Sequence, residues 1–349
     1  MLRKDLLDKL QIVAPALANN DLVPVLSHFW FTGSQVLAYN DQIAISVPCK
    51  TDFKGAVPGA IFISLLKNSK AKEVELSLND NELLIKAASS RFKLPILPPK
   101  DFVFEIPALK TVSPIPMKGF IDGIKGCLRS VSTDTSTADQ LGITLIPNDG
   151  KLLQLFSTNS ATISTTNVAM PSKLPFKRAV LSGLFCQQMV NIAASGKEAK
   201  IEIDQEHSLF TCGGIALYGR PINIEKPIPF VETVQAELPK NYQKALVSIP
   251  SKMKLMLERA IIVTDSPVEQ TTTAISVKEG KMRFTSKSGR GEVTDTILVE
   301  PGQKDVVMNI HCRHIKAGYG AFDKMLVTES CFLMTQGDGG SLYLIAAVG

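Results

Sequence analysis

His311, Cys312 and His314, in the run HCRH, form the densest group of potential metal ligands in the 349-residue chain. Structural zinc needs four such ligands, and no second pair stands at finger-like spacing, so packing or phosphate contact is the expected role of these rings. The other two histidines, His28 and His207, stand alone. Cysteines 49, 127, 186, 212, 312 and 331 are scattered without CxxC spacing, which fits buried free thiols in a reducing cytosol better than a disulfide framework. Glycine turns at 288–291 and 337–340 lack the GK[ST] of a phosphate loop and the strand-then-helix setting of a dinucleotide fingerprint. There is no GxSxG or HExxH. Asp134 and Asp139 sit in the polar run STDTSTADQ, where solvated turn residues are the default. No catalytic, cofactor or metal site is expected, which makes the chain a non-enzyme that works through its surfaces.

Those surfaces belong to a folded chain. Hydrophobic residues make up 45% against 20% charged, unlike a disordered composition. No apolar run reaches the roughly 18 residues of a membrane span, and MLRKDLLDKL interrupts its leucines with charge, unlike a signal peptide. A cytoplasmic protein without membrane contact is expected. The net charge of +5 permits nucleic acid as a partner without establishing it.

One unit recurs three times. KEVELSLNDNELLIKA from Lys72, KEAKIEIDQEHSLFTC from Lys197 and DKMLVTESCFLMTQ from Asp323 each follow a short apolar helix, at nearly constant separation. Their partners GSQVLAYND, DGKLLQLFSTN and EGKMRFTSKS are turns feeding alternating strands. Each copy opens with an amphipathic helix, the first placing Leu2, Leu6, Leu10 and Val13 on one face. The predicted fold is α+β, with three tandem domains (1–112, 113–240 and 241–349), each carrying two helices packed on antiparallel sheets. RFKLPIL ends the first domain's strands, and Pro98 and Pro99 stop the ladder because proline cannot donate to it.

The predicted helices span 2–17, 62–72, 117–130, 183–197, 250–262 and 312–324. In each of them Lys and Arg outnumber Asp and Glu, leaving strands and loops acidic. Solvated outer faces are the simplest account of any single lysine. A bias shared by all six suggests a common positive surface able to neutralise phosphates. Its candidates are Lys4, Lys9, Lys67, Lys70, Lys118, Lys125, Arg129, Lys197, Lys252, Lys254, Arg313 and Lys316. No base-reading motif accompanies them, so contact should be indifferent to sequence.

Several stretches, in order along nearly the full length, carry a resemblance: VPVLSHFWF (23–31), SSRFKLPILPPKDF (89–102), STDTSTADQLGITL (132–145), LPKN (238–241), LERAIIV (257–263) and the terminal YLIAAV. Together with three repeats and basic helices they resemble the bacterial-type DNA sliding clamp, the β subunit of DNA polymerase III holoenzyme, as a divergent member. The resemblance implies the DNA clamp fold and a head-to-tail homodimeric ring around duplex DNA, with Phe102 meeting Ile262 and Val263 at the joint. It implies a processivity factor that tethers the replicative polymerase and clamp loader through short linear peptides. Leu141, Thr158, Ser160, Thr162, Ile163, Pro229, Leu333, Leu344 and Ala346 would line the peptide pocket.

The match departs from the family there. Ser160, Ala161 and Thr162 replace a usual Gly-His-Arg, residues 346–349 replace a Met-Pro-Met-Arg-Leu-like end, and Ala138 and Asp139 replace a tyrosine pair. Bulk and donors are lost, so the pocket should differ in form. A clamp-folded interaction scaffold that does not encircle DNA is the alternative, and a β-rich enzyme with an unrecognised site is the third reading.

Overall fold

The computed structural model describes residues 1–19, 23–98, 104–107, 115, 117–134, 136–148, 151–171, 174, 176–194, 196, 198–204, 206–224, 229, 234, 236, 238–264, 271–300, 303–337 and 340–348. Phe102, Lys197 and the residues on either side of the expected 112/113 domain boundary lie outside them. The chain divides into two compact units, Met1–Met117 with Pro171–Ile222, and Lys118–Met170 with Asn223–Gly349.

In the first unit, α1 (Arg3–Val13) buries Leu6, Leu10 and Val13, the stripe that its apolar spacing predicts. Pro15 cannot supply a helical N–H, and the chain tightens into a 3-10 turn over Ala14–Ala16. Strands β1 (His28–Phe31), β2 (Gln35–Tyr39), β3 (Ile43–Pro48) and β4 (Gly55–Pro58) follow, then α2 (Gly59–Asn68). Next come β5 (Glu75–Asn79), β6 (Glu82–Ala87) and β7 (Ser90–Pro95), a separate sheet in that order. Pro95 closes β7, a terminal strand, where its missing N–H breaks no ladder bond. Later in the chain β11 (Ala179–Ser182) leads into α4 (Gly183–Ala193), whose first turn is capped by the Ser182 hydroxyl accepting from the Phe185 N–H. Strands β12 (Ala199–Ile203), β13 (Ser208–Cys212) and β14 (Ile215–Gly219) then join the first sheet, in the order β12-β13-β14-β3-β2-β1-β4.

The second unit begins with α3 (Met117–Cys127), which buries Phe120, Ile121, Gly123, Ile124 and Cys127. Strands β8 (Gly142–Asn148), β9 (Leu152–Thr158) and β10 (Thr162–Ala169) continue through β10 into β22 (Ser341–Ala346), β21 (Cys331–Gln336), β20 (Lys324–Val327) and β15 (Val247–Ser248). A further sheet runs β18 (Gly291–Leu298), β17 (Lys281–Ser288), β16 (Thr273–Lys278), β19 (Val306–Ile310). Helices α5 (Met253–Thr264) and α6 (Cys312–Gly318) complete the unit.

Sheet pairing crosses the repeats. β14 of the second repeat pairs antiparallel with β3 of the first, from Ala216 opposite Ser46 to Gly219 opposite Ile43. β22 of the third pairs with β10 of the second, from Thr162 opposite Ile345 to Thr166 opposite Ser341. Backbone ladders thus tie each half of the middle repeat to a neighbour, which is why the compact units cut across it.

Several expected helices are shorter than the sequence suggests. The predicted helix 62–72 is Gly59–Asn68, leaving Lys70 outside; 250–262 is Met253–Thr264, leaving Lys252 in the turn before it. The predicted 312–324 ends at Gly318, and Lys324 begins a strand. Helix α4 carries no charged residue, so the expectation of a cationic excess in every helix fails there. All six cysteines are buried.

Helix α6 is held tightly. A β-carbon at Gly318 would stand 2.7 Å from the Tyr343 ring and 2.8 Å from the Met334 sulfur, both fully buried. Gly318→Ala should therefore lower unfolding free energy by about 1–3 kcal/mol despite alanine's better helix propensity, as read by urea denaturation. On the same helix, burial, with Arg313 and His311 nearby, pushes the His314 imidazole down to about 4. The folded state favours the neutral ring, so its contribution is complete above the ordinary 6.5 and is lost as pH falls toward 4. His314→Gln should flatten the acid limb of melting temperature between those values.

Candidate functional site

The cationic candidates stand mostly in solvent. Lys4, Lys67, Lys70, Lys118, Lys125, Lys252, Lys254, Arg313 and Lys316 are exposed, and Lys9 and Arg129 are half-buried. Helix geometry explains this: the apolar stripes of α1, α3 and α5 face their sheets, so Lys4, Lys118, Lys125 and Lys254 fall on the opposite arcs. Lys125 lies 3.8 Å from Asp122, one helical turn back, an exposed pair contributing little to stability. Arg129, in a 3-10 turn extending α3, donates to the Gly126 carbonyl at 3.4 Å and lies over the Phe322 ring, 5.8 Å from its centroid.

The peptide-pocket candidates separate into two groups. Strands β20 to β22 are buried on both faces: Met325, Val327, Phe332, Met334, Tyr343 and Ile345 enter the core beneath α5 and α6, while Leu326, Cys331, Leu333, Leu342 and Leu344 form a second cluster on the other face. Period-two alternation produces this division. Ile163 on β10 sits directly opposite Leu344, which sits opposite Leu333, so three predicted residues meet in one cross-strand row. Val234, Leu238, Tyr242, Ala245 and Leu246 cover the row while remaining only partly buried. These covering residues escape sequence reasoning because they come from an irregular stretch and a short 3-10 helix, Tyr242–Ala245, without periodicity. The LPKN run was their only nearby signal.

The remaining pocket candidates have other local roles. The Thr158 hydroxyl donates to the Thr162 carbonyl at 2.9 Å and accepts from the Ser160 N–H at 3.3 Å, fastening the turn between β9 and β10. Thr162 donates to Ser130 and is held by Asn159, all within the unit. Ser160, at φ 69°, presents its hydroxyl to Gln140 at 2.8 Å. Where the resembled family has bulkier donors, this turn is thus closed on itself. Leu141 and Ala346 are half-buried and Pro229 is exposed.

Of the expected joint residues, Ile262 is 71% exposed and Val263 half-buried on the last turns of α5. The nearby sheet adds Leu298, 76% exposed at the end of β18. In the first unit, a cleft of about 720 Å³ opens beside α2 and β7, lined by Ile61, Leu65, Ala87 and Phe92 among others. Ile61 is more than half exposed there. Among the described residues, no three His, Cys, Asp or Glu side chains gather as a metal site, and no helix is long and apolar enough to cross a membrane.

Comparison with known proteins agrees with this architecture. Three solved clamps are similar over the whole chain. The DNA polymerase III beta subunit of Thermotoga maritima has a TM-score of 0.84 at 18% identity, covering 100% of this chain and 98% of its own. The Bartonella birtlesii sliding clamp, solved bound to griselimycin, has a TM-score of 0.85 at 16% identity with the same coverage. The beta subunit of Streptococcus pyogenes has a TM-score of 0.83 at 15% identity, again covering 100% and 98%. No curated protein matches. Residues 1–107 match the family model of the DNA polymerase III beta subunit, N-terminal domain, and the chain as a whole has the clamp fold of those beta subunits.

Proposed function

We propose that this protein is a DNA polymerase processivity clamp, a homodimeric ring that encircles duplex DNA and holds polymerase and clamp loader through short linear peptides. The observation that carries this reading is the pairing rule between repeats. The last strand of one repeat pairs with the third strand of the repeat before it, β14 with β3 and β22 with β10. One step further, the same rule brings β7 of a second copy against β18. Among the described residues both are terminal strands of their sheets, each with an outer edge that a partner strand could meet. Two such joints close two chains of three repeats into a ring, and the repeats 1–112, 113–240 and 241–349 are its natural modules.

The joint is chemically matched. β7 exposes Arg91 and Lys93, and β18 exposes Glu292. Lys93 also lies 3.2 Å from Glu82, so Arg91 is the freer of the two cations. Ile262 and Leu298 supply apolar surface that the cleft beside α2 would cover. Encirclement lets retention come from topology, while exposed helical cations make weak phosphate contacts that permit sliding. The row Ile163–Leu344–Leu333, with Tyr242 and Leu246 at its margin, offers an apolar groove for a linear peptide. The protein performs no chemistry of its own and works in the cytoplasm, where its six buried thiols remain reduced.

Three measurements test the reading. The wild type should have a dimer's mass by light scattering and stay on nicked circular DNA yet leave after linearisation; Ile262→Asp should shift it to monomer. A monomeric wild type would favour the scaffold reading, and retention indifferent to linearisation would overturn topological binding. Replacing Lys67, Lys118 and Lys254 together with Gln should weaken loading and flatten its salt dependence; an unchanged salt slope would place those lysines away from DNA.

A further inference from the structure

A second cleft, of about 210 Å³, lies within the second unit on the helix side of the β10–β22 junction. Its wall is the end of α3, with Asp122, Lys125, Gly126 and Arg129; its floor is Ser164, Thr166, Ser341 and Gln336 from three adjacent strands; Phe322 closes one side. Register places the floor groups together: Thr166 is opposite Ser341 across β10 and β22, and Ser341 is opposite Gln336 across β22 and β21. The Thr166 hydroxyl donates to the Ser341 hydroxyl at 3.2 Å. The volume falls below the roughly 300–1,000 Å³ of pockets that enclose a drug-sized ligand, so it suits a small group rather than a whole nucleotide.

We propose that this cleft is a phosphate-binding site centred on Arg129. Arg129 as a residue is half-buried and, among the described residues, its guanidinium has no carboxylate within 4 Å. A partly desolvated cation without a counter-charge favours an anion, and the planar fork of arginine matches phosphate oxygens two at a time. Its one acceptor among the described residues, the Gly126 carbonyl, is 3.4 Å away and occupies a single N–H, leaving other donors for a ligand. The Phe322 ring, its centroid 5.8 Å from the guanidinium carbon, adds a cation–π contact on one side of the fork. Lys125 adds a second positive charge at the rim, and the hydroxyls and the Gln336 amide can donate from the floor. Asp122 is the one acidic wall residue and is drawn toward Lys125 at 3.8 Å. The site joins α3 and β10 of the second repeat to β21 and β22 of the third, so a bound phosphate would bridge two repeats.

The phosphate could be free in solution or part of a DNA backbone; only the second source rests on the ring reading. Inorganic phosphate titrated with the full-length protein should show saturable ³¹P line broadening. Arg129→Gln should weaken that binding by roughly tenfold or more, reflecting loss of a charge-assisted bidentate contact. Arg129→Lys should restore part of it, and Lys177→Gln, at an exposed position outside the cleft, should leave it unchanged. If Arg129→Gln fails to fold, Lys125→Gln at the rim should still weaken binding several-fold. Broadening that is absent from the wild type, or indifferent to both Arg129 and Lys125, would overturn the site. Duplex DNA that displaces phosphate from the wild type identifies the backbone as the source; phosphate binding that survives saturating duplex identifies a free anion. Retention on circular DNA without phosphate binding would sink this site and leave the ring reading intact.

Discussion

Edge pairing governs this architecture. A β-strand at the end of a sheet presents unpaired N–H and C=O groups, and the closing hairpin of each repeat ends in such a strand. In the second and third repeats the edge is met by the preceding repeat, through the β14–β3 and β22–β10 ladders. These ladders make the two sheets that they join larger than the strands of one repeat would make them, while β5–β7 and β16–β19 each form a sheet within one repeat. They also impose an asymmetry. Among the described residues, β7 of the first repeat and β18 of the third are terminal strands of their sheets. Each end carries features suited to an interface: basic exposure on β7, acidic and apolar exposure on β18 and α5.

The same ladders determine how the second unit presents itself on two faces. Once β22 is hydrogen-bonded on both sides, by β21 and β10, its alternation points Tyr343 and Ile345 to the helices and Leu342 and Leu344 away from them. The helix face becomes a packed core, with Gly318 admitting the Tyr343 ring to contact distance. The opposite face cannot be left fully wet with so many leucines, and the irregular stretch around Tyr242 covers it only in part. A partly covered apolar cluster is therefore a consequence of extending the sheet across repeats. At the edge of the helix face, where polar Thr166, Ser341 and Gln336 replace apolar residues, the junction opens into the cleft beside Arg129.

Much of this was legible in the sequence. ELLIKA is β6 from end to end, and the alternating copies QVLAY, LLQLFST and KMRFTSKS are β2, β9 and β17. Their period of two is local information, independent of tertiary context. Helix ends were less legible because lysines suit both a last helical turn and the loop after it, as at Lys67 and Lys70 around the end of α2. The short strand GAVP between Pro48 and α2 was not distinguished, since four small residues with glycine and proline carry little strand signal; its identity comes from pairing with β1. That Ile163, Leu333 and Leu344 are apolar strand positions is legible in the sequence, and pairing brings them into one row; the inward use of Thr158 and Thr162 is not legible. A threonine in a turn has the same one-letter code whether its hydroxyl faces a ligand or its own backbone.

Charge placement illustrates the same limit at larger scale. Counting along sequence assigns cations to helices, but what a cation can do depends on what lies opposite it in space. Lys125 and Arg129 are one helical turn apart and look interchangeable in sequence, yet Lys125 is exposed beside Asp122 while Arg129 rests on an aromatic ring above a hydroxyl-lined floor. The first arrangement is screened by water and ions and suits transient contact with any phosphate that passes. The second sets the fork beside an aromatic ring and a row of hydroxyls, which suits a phosphate at a defined place. A surface meant for sliding needs many contacts of the first kind, because each must be released easily. A contact of the second kind makes one position more favourable than its neighbours, and its placement across two repeats would couple that position to the joint between them.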